Sequence, residues 1–497
     1  MTPSTELADS PAAARGPAEA PLGGEGPTTG PLLSVLMPVY NERRTLKAIV
    51  RRVLESPTPI PLELVAVDDG STDGSAELLR ELAAQDQRIR PVFQERNRGK
   101  GAAIQAAIRH MAGDIAIIQD ADLEYDPAEI GKVIQPILDG RADAVFGSRF
   151  LSSDYRRVLY YWHSLGNGAL TWLCNVLCDI NLTDMETCYK AVRADILRQT
   201  PLRFRDFAIE PELTFRLAQW GIRLYEVPVS YAGRTYVEGK KIRWTDGLRA
   251  LWAMFWCKFI DTRFTTHDGY YILVAVRNAG AFNRWMYRQI APYVGRRVLE
   301  AGCGIGNLTE LLLDSDRLVV SDVDPFYAEM IGRRFGHMDN VRTVRMDLTK
   351  AGDYEQLAGE SLDTIICLNV LEHIGDDEDV LRHFYRALGP GDHAIVLVPQ
   401  HPWLYSPTDK ALGHERRYTK EGLAERLRRA GFEVVHQQGF NRLGALGWYV
   451  SGKLLGREHL SPGQMKAFNR ILPLAKLVER IPGWPALSTI AVGRKPA

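Results

Sequence analysis

The sequence has no excess charge of either sign: 61 lysines and arginines balance 61 aspartates and glutamates over 497 residues. Without a global basic field nothing argues for a nucleic-acid partner, and any anion site must be local. Cysteine is scarce, with six residues at 174, 178, 188, 257, 303 and 367. They show neither CxxC spacing nor accompanying histidines, which argues against a zinc site and a disulfide framework and fits a reducing cytosol. No run of eighteen or more apolar residues occurs, so a membrane-spanning helix is not expected, while contact with a membrane surface stays open. Large apolar side chains are almost missing from Met1 to Gly30, a stretch of Pro, Ala, Gly, Ser and Thr. Such a segment buries too little to offset its ordering entropy, so residues 1–31 read as a disordered tail. It also lacks the basic and apolar regions of a signal peptide.

What remains is too long for one ordinary core, and two or three domains are expected. The stretch Ile115 to Asp126, IAIIQDADLEYD, reads as a buried strand ending in carboxylates. Asp120, Asp122 and Glu124 would share one side of an extended chain and suit a hard divalent ion, Mg2+ or Mn2+, clamping a diphosphate. An acidic loop capping the next helix at Asp126-Pro127 is the bland alternative. Two earlier strands, LLSVLMPVYNE and LELVAVDDGSTDGS, also end in acids, so Tyr40, Glu42, Asp68 and Asp69 would gather with Asp120 and Asp122 at the carboxyl edge of a parallel sheet. Between them and the third, Gly99 and Gly101 bracket Lys100 before an Ala-rich helix, where free N–H groups would suit phosphate and an exposed turn is the alternative.

In this order and spacing PVYNE, VDDGSTDG, GKG and DADLEYDP resemble the family 2 glycosyltransferases of GT-A fold, above all the dolichol-phosphate mannosyltransferase branch and its bacterial polyprenyl-phosphate relatives. The resemblance covers roughly Leu32 to Arg263. It implies that Pro38, Tyr40, Glu42 and Asp69 hold the nucleoside of a nucleotide-diphospho-sugar, that Lys100 and Asp120 contact the donor, and that Asp120, Asp122 and Glu124 hold the metal. That branch often has Gln where this chain has Glu124. Arg149, Arg234, Lys240 and Lys241 would neutralise the phosphates of donor and acceptor. A sugar hydroxyl needs a general base, whereas a phosphate monoester is already anionic at neutral pH and needs only cations to place it. The basic cluster therefore favours polyprenyl phosphate as acceptor, with Asp122, Arg149 and Arg234 in catalysis. Glu210 is the candidate base if the acceptor is a hydroxyl; FAIEPEL also reads as a plain helix start. Leu248, Leu251, Trp252, Phe255, Trp256 and Phe259 recur at helical spacing and fit an interfacial helix, with packing on the domain as the alternative.

After residues 265–289, read as a linker helix, RRVLEAGCGIGNLTELLL sets a strand, a glycine turn and a helix in sequence. Its glycines at 302, 304 and 306 leave Asn307 where a dinucleotide fingerprint wants glycine, which disfavours NAD. With RLVVSDVDP, VRTVRMDLTK and LDTIICLNVLEHI the pattern resembles class I S-adenosylmethionine-dependent methyltransferases from about Tyr293 to Val435. The resemblance assigns Glu300, Gly302, Gly304, Gly306, Asp322, Asp347 and Asn369 to S-adenosyl-L-methionine. For the methyl acceptor, His401, His414, Arg416, Arg417 and Tyr418 are polar candidates on a substrate lid.

The expectation is an α/β chain: a GT-A domain over 32–264, a Rossmann-like methyltransferase domain over 290–440 and its C-terminal extension over 441–497. It would be a bifunctional enzyme, moving a hexose with inversion to polyprenyl phosphate and methylating a related glycan or lipid intermediate. Its place would be cytoplasmic, peripheral at the inner face of the membrane. The alternative is a transferase to a sugar hydroxyl of a growing glycan, with one module serving only as a binding unit.

Overall fold

The structure is a computed structural model that describes residues 30–151, 160–234, 244–261, 264–265, 268–277, 280–456, 470–479, 481 and 483–497. The expected tail, apart from residues 30–31, and Lys240 and Lys241 lie outside the described residues.

Short runs rich in apolar residues make seven strands in the first half: β1 (Leu33–Val39), β2 (Leu62–Asp68), β3 (Ile89–Phe93), β4 (Ile115–Ile118), β5 (Ala144–Ser148), β6 (Lys190–Arg193) and β7 (Leu224–Pro228). They form one sheet in the order β3-β2-β1-β4-β6-β5-β7. Helices cover both faces, so β1, β2 and β4 are buried throughout apart from Pro38, as near-continuous apolar strands require. The sheet is mixed where a parallel one was expected, because β6 runs antiparallel to both β4 and β5. Register pairs Val39 with Asp68 and Leu36 with Ile118, which sets Tyr40, Asp69 and Gln119 to Asp122 along one edge.

The expected strand over Ile115 to Asp126 is shorter. It stops at Ile118, Asp122 Oδ1 accepts the Glu124 N–H at 3.1 Å, and Leu123 takes a left-handed φ of 64°. This local turn competes with extended backbone, so the alternation that would put three carboxylates on one side fails.

The second half adds β8 (Arg297–Ala301), β9 (Arg317–Asp322), β10 (Val341–Arg345), β11 (Thr364–Leu368), β12 (His393–Pro399), β13 (Glu433–Phe440) and β14 (Ser488–Arg494). Their order is β10-β9-β8-β11-β12-β14-β13, with β14 antiparallel to both of its neighbours. The C-terminal stretch is thus part of this sheet, inserted between β12 and β13. After the glycine turn the chain makes only a 3-10 turn over Thr309–Leu311 instead of a full helix. Three left-handed glycines within five residues supply no nucleus from which an α-helix propagates.

The joint between the sheets is packed. Trp285, Met286 and Ile290, on the Gly280–Ile290 helix, are buried in the second core. Tyr270, on the Asp268–Arg277 helix, is buried with the first and donates its hydroxyl to the Trp220 carbonyl at 2.9 Å. Trp220 and Tyr270 stand 5.9 and 5.6 Å from Phe326, which belongs to the helix after β9. Arg333 on that helix reaches Asp195 of the first half at 3.2 Å. The Asp268–Arg277 and Gly280–Ile290 helices, where one linker helix was expected, therefore act as a wedge between two cores.

Candidate active sites

At the first sheet's carboxyl edge, acids and bases are bound to one another. Lys100 opens the Lys100–His110 helix and places Nζ 2.9 Å from Asp120 and 3.0 Å from Glu210. Burial disfavours the Lys100 charge, yet Asp120 and Glu210 outweigh it and hold its pKa well above the ordinary lysine value. Glu210, 3% exposed, also contacts buried Lys190 through its second oxygen. Arg234 Nη2 lies 3.0 Å from Glu42 and 3.7 Å from Asp122 Oδ2, and its Nε donates to the Asp122 carbonyl at 3.2 Å. Both Glu124 oxygens are engaged, one accepting the Tyr231 hydroxyl at 2.6 Å and the other the Arg234 N–H at 2.8 Å. Arg149 makes a two-pronged pair with Asp184, at 2.6 and 2.7 Å, and its guanidinium lies 5.0 Å from the Tyr231 ring centre. Contacts thus link Arg149, Tyr231, Glu124, Arg234, Asp122 and Glu42 in one cleft wall.

Two expectations change on this geometry. The glycine turn before the Lys100 helix does not offer all its N–H groups to phosphate, because Asp69 accepts those of Arg98 and Gly99, each at 2.8 Å. Its glycines serve close packing instead: a Cβ at Gly99 or Gly101 would meet the carbonyl oxygen of Arg205 or Phe204 at 2.4 Å. Burial raises the Asp69 pKa despite those bonds. Glu124 gains a second role, bracing Tyr231 and Arg234 through one hydrogen bond on each oxygen. Pro38 is half-buried at the end of β1, and Tyr40 is exposed just beyond it.

Two helices flank this cleft with one face in the domain and the other outward. Cys174, Met254 and Cys257 are buried together with Met185 and Phe215. The opposite faces expose Trp162 at 77% and Trp172 at 65% on the Tyr161–Cys178 helix, and Trp252 at 50% and Phe259 at 63% on the second helix and its C-terminal turn. Leu248, Leu251 and Phe255 are exposed as well, whereas Trp256 is half-buried against Arg203, 4.4 Å away. The expected stripe is therefore the outward face.

At the second sheet, Gly302, Gly304 and Gly306 all have positive φ, 80°, 52° and 80°. A Cβ on Gly302 would sit 2.3 Å from Val370 and one on Gly304 2.7 Å from Leu273, so the turn has room only for backbone. Asp322 ends β9 and accepts the N–H groups of Gly304 and Asp324 at 2.9 and 3.0 Å. Glu300 is buried, its carboxylate accepts the Thr309 hydroxyl at 2.6 Å, and burial pushes its pKa up to about 8. Asp347 is tied to Thr349 at 2.7 Å, which helps hold its pKa low. Asn369 follows β11 in a left-handed conformation, φ 55°. On the lid, Arg417 and His414 both bind Asp409, Tyr418 donates to Asp377 at 2.6 Å, Arg416 pairs with Asp377 at 3.3 Å, and His401 stands on a left-handed residue of φ 65°.

Residues 34–200 match the model of glycosyl transferase family 2, and residues 279–437 match a methyltransferase domain model. The chain carries a family 2 glycosyltransferase domain followed by a methyltransferase domain. The glycosyltransferase domain is GT-A-like, the methyltransferase domain Rossmann-like, and both sheets are mixed. Among relatives, an undecaprenyl-phosphate 4-deoxy-4-formamido-L-arabinose transferase of Edwardsiella ictaluri is 30% identical over 211 residues, 42% of this chain and 62% of that protein. An undecaprenyl-phosphate mannosyltransferase of Micrococcus luteus is 27% identical over 216 residues, 41% of this chain and 85% of that protein. The chain thus spans less than two thirds of the first relative's length. A solved S-adenosylmethionine-dependent methyltransferase of Mesorhizobium loti superposes with a TM-score of 0.31 at 16% identity, over 43% of this chain and 98% of that one.

Within the glycosyltransferase domain the sequence reading missed Tyr231, Asp184, Lys190 and Glu186. Glu186 is half-buried near Lys190, Glu210, Arg149 and Asp184, and burial pushes its carboxyl up to about 7. TDMETCYK carries the acids and the lysine, but no spacing rule points them at Arg149 or Glu210.

Proposed function

We propose that the glycosyltransferase domain moves a hexose from a nucleotide-diphospho-sugar to polyprenyl phosphate, by in-line displacement with inversion. What carries this reading is the state of Glu210. Both its oxygens face ammonium groups, so the residue best placed by sequence to serve a hydroxyl acceptor is tied to Lys100 and Lys190. An ionised phosphate has no proton to remove and needs cations only. Arg149 and Arg234 supply them, since each guanidinium has more donors than its carboxylate partners use. The names of the relatives from Edwardsiella ictaluri and Micrococcus luteus, both acting on undecaprenyl phosphate, support the same acceptor class.

A divalent ion, Mg2+ or Mn2+, fits Asp120 and Asp122. Their hard oxygens stand at the strand end, and Asp122 Oδ2 is 3.7 Å from Arg234, beyond hydrogen-bond reach and open to a ligand. When bound, the ion would offset charge on the leaving diphosphate. Tyr40 and Glu42 would flank the nucleoside, Asp69 would hold the Gly99 turn beneath it, and Lys100 would contact the donor. The exposed Trp162, Trp172, Trp252 and Phe259 would seat in the headgroup boundary, placing the protein peripherally at the inner membrane face. Among the described residues no helix is long and apolar enough to cross a membrane.

The methyltransferase domain would bind S-adenosyl-L-methionine at the Gly302 turn, with Glu300 and Asp322 beside it and Asp347 and Asn369 at the rim. A buried carboxyl with no cationic partner among the described residues fits the cationic amino-acid end of that cofactor. It would methylate a glycan or lipid intermediate of the same route.

A hydroxyl acceptor has one observation in its favour: Glu186, whose pKa of about 7 suits a base. Incubating the protein with radiolabelled nucleotide sugars and polyprenyl phosphate tests both readings. A mild-acid-labile lipid product that survives Glu186→Gln supports the phosphate acceptor. No such product, with transfer to a glycan hydroxyl lost in Glu186→Gln, supports the rival.

A further inference from the structure

Beyond the glycine turn, the methyltransferase domain holds a second group of chemistry-bearing side chains. The Leu371–His373 turn after β11 carries Glu372 and His373, and the lid brings in His414. One ligand atom from each of the three lies within 4.8 Å of the other two, the only such group of His, Cys, Asp and Glu among the described residues. Glu372 is 0% exposed, and neither of its carboxylate oxygens has a hydrogen-bond partner in another described residue. A fully buried acid left so is costly unless something else occupies the space it faces.

Hydrogen bonds fix which nitrogen each histidine presents. Asp409 Oδ1 stands 2.9 Å from His414 Nδ1 and accepts from Arg417 Nε at 2.8 Å. Its other oxygen accepts from Ser406 N at 2.9 Å and Trp448 Nε1 at 3.2 Å. Held by so many donors, Asp409 is an acceptor, so His414 donates from Nδ1 and turns the lone pair of Nε2 toward Glu372 Oε1, 4.0 Å away. His373 Nδ1 lies 3.3 Å from the Gly413 carbonyl, which only accepts, and its Nε2 is likewise the basic nitrogen. A carboxylate behind an imidazole, fixing its tautomer and orientation, is the support that metal-ligating histidines receive.

We propose that Glu372, His373 and His414 bind a divalent transition-metal ion of the zinc or iron(II) class. Two imidazoles and one carboxylate match that class, and hard oxygen-seeking ions such as Mg2+ suit the set less well. Ligands about 2.1 Å from a tetrahedral ion stand roughly 3.4 Å apart, so the 4.0 Å gap between His414 and Glu372 closes with a small side-chain shift. His373 is exposed and has room to complete the set. Three protein ligands leave positions open for an oxygen-bearing ligand, at the turn after β11 that faces His414. The metal assignment stands apart from the methyl-transfer reading and needs neither cofactor nor acceptor to be true.

Cobalt(II) is the probe. Full-length, tag-free protein stripped with chelator should retain one Co2+ with visible d–d absorption, and so should Asp122→Ala, which removes the glycosyltransferase candidate. His373→Ala and Glu372→Gln should each weaken retention at least tenfold and abolish the band. Because His373 is at the surface, its variant should fold, as an unchanged far-ultraviolet dichroism spectrum would verify. Retention of no Co2+, retention lost in Asp122→Ala, or a band unchanged in His373→Ala would each overturn the assignment.

Discussion

In the glycosyltransferase domain Glu210 lies buried between Lys100 and Lys190, whereas in the methyltransferase domain Glu300 is held by Thr309 and the Glu372 carboxylate has no hydrogen-bond partner in another described residue. These acids are equally hidden from water, so the difference lies in their company. The first cleft brings its cations with it, and an incoming anion competes with carboxylates already in place. In the second domain Glu300 has no cationic partner among the described residues and Glu372 has only the field of Arg417, and burial pushes both up to about 8. One site is built to receive negative charge, the other to receive positive charge.

Removing a carboxylate should therefore do opposite things in the two domains. The largest effect expected is on Asp122→Ala, which takes away a metal oxygen and the neighbour of Arg234: glycosyl transfer should fall roughly 10³-fold. Binding of S-adenosyl-L-methionine, followed by calorimetry, should not change, and transfer within threefold of the parent protein would remove Asp122 from the metal site. Glu210→Gln should be next, leaving Lys100 paired with Asp120 and Lys190 with only the Glu186 carboxyl nearby. Losing one member of a buried ion pair costs about 3–5 kcal/mol, so denaturant unfolding should shift by that order. A shift under about 1 kcal/mol would mean that water reaches the lysines and the group is not truly sealed. Gly302→Ala strikes the second site by shape instead of charge. Its φ of 80° and the 2.3 Å approach to Val370 should cut cofactor affinity by on the order of 30-fold while glycosyl transfer continues.

How much of this contrast was legible beforehand depends on how far apart the partners lie in the chain. Strand ends with acids, the glycines at 302, 304 and 306 and the outward aromatic stripe are local patterns, and their positions followed from period and spacing. Tyr231 against Glu124, 107 residues away, and Asp184 against Arg149, 35 residues away, are tertiary pairings that no local pattern encodes. The glycines around Lys100 misled for a related reason. A turn that looks ready for phosphate had its donors taken by Asp69, some 30 residues earlier, and its space taken by the backbone of Phe204 and Arg205. The strand over Ile115 to Asp126 was overextended because Asp122 folds back on Glu124, a bond within two residues that hydrophobic periodicity does not see.

The smallest effect expected is also the sharpest on the contrast, because it reads the charge state of one buried acid. With its pKa near 8, Glu300 in the ligand-free protein keeps a proton at pH 7 that an ordinary carboxyl, at 4.5, has lost. The folded state then binds more protons than the unfolded chain between those values, so this group's contribution to stability falls as pH rises from about 4.5 to 8. A cationic ligand beside Glu300 favours the carboxylate and should expel the proton. Affinity for S-adenosyl-L-methionine should accordingly rise with pH between 6 and 8, by less than tenfold per unit, and level off above. Calorimetry in two buffers of different ionisation enthalpy should find up to one proton released per cofactor bound at pH 7. Glu300→Gln should release fewer, and an unchanged count in that variant would move the titration to another group and leave Glu300 as packing.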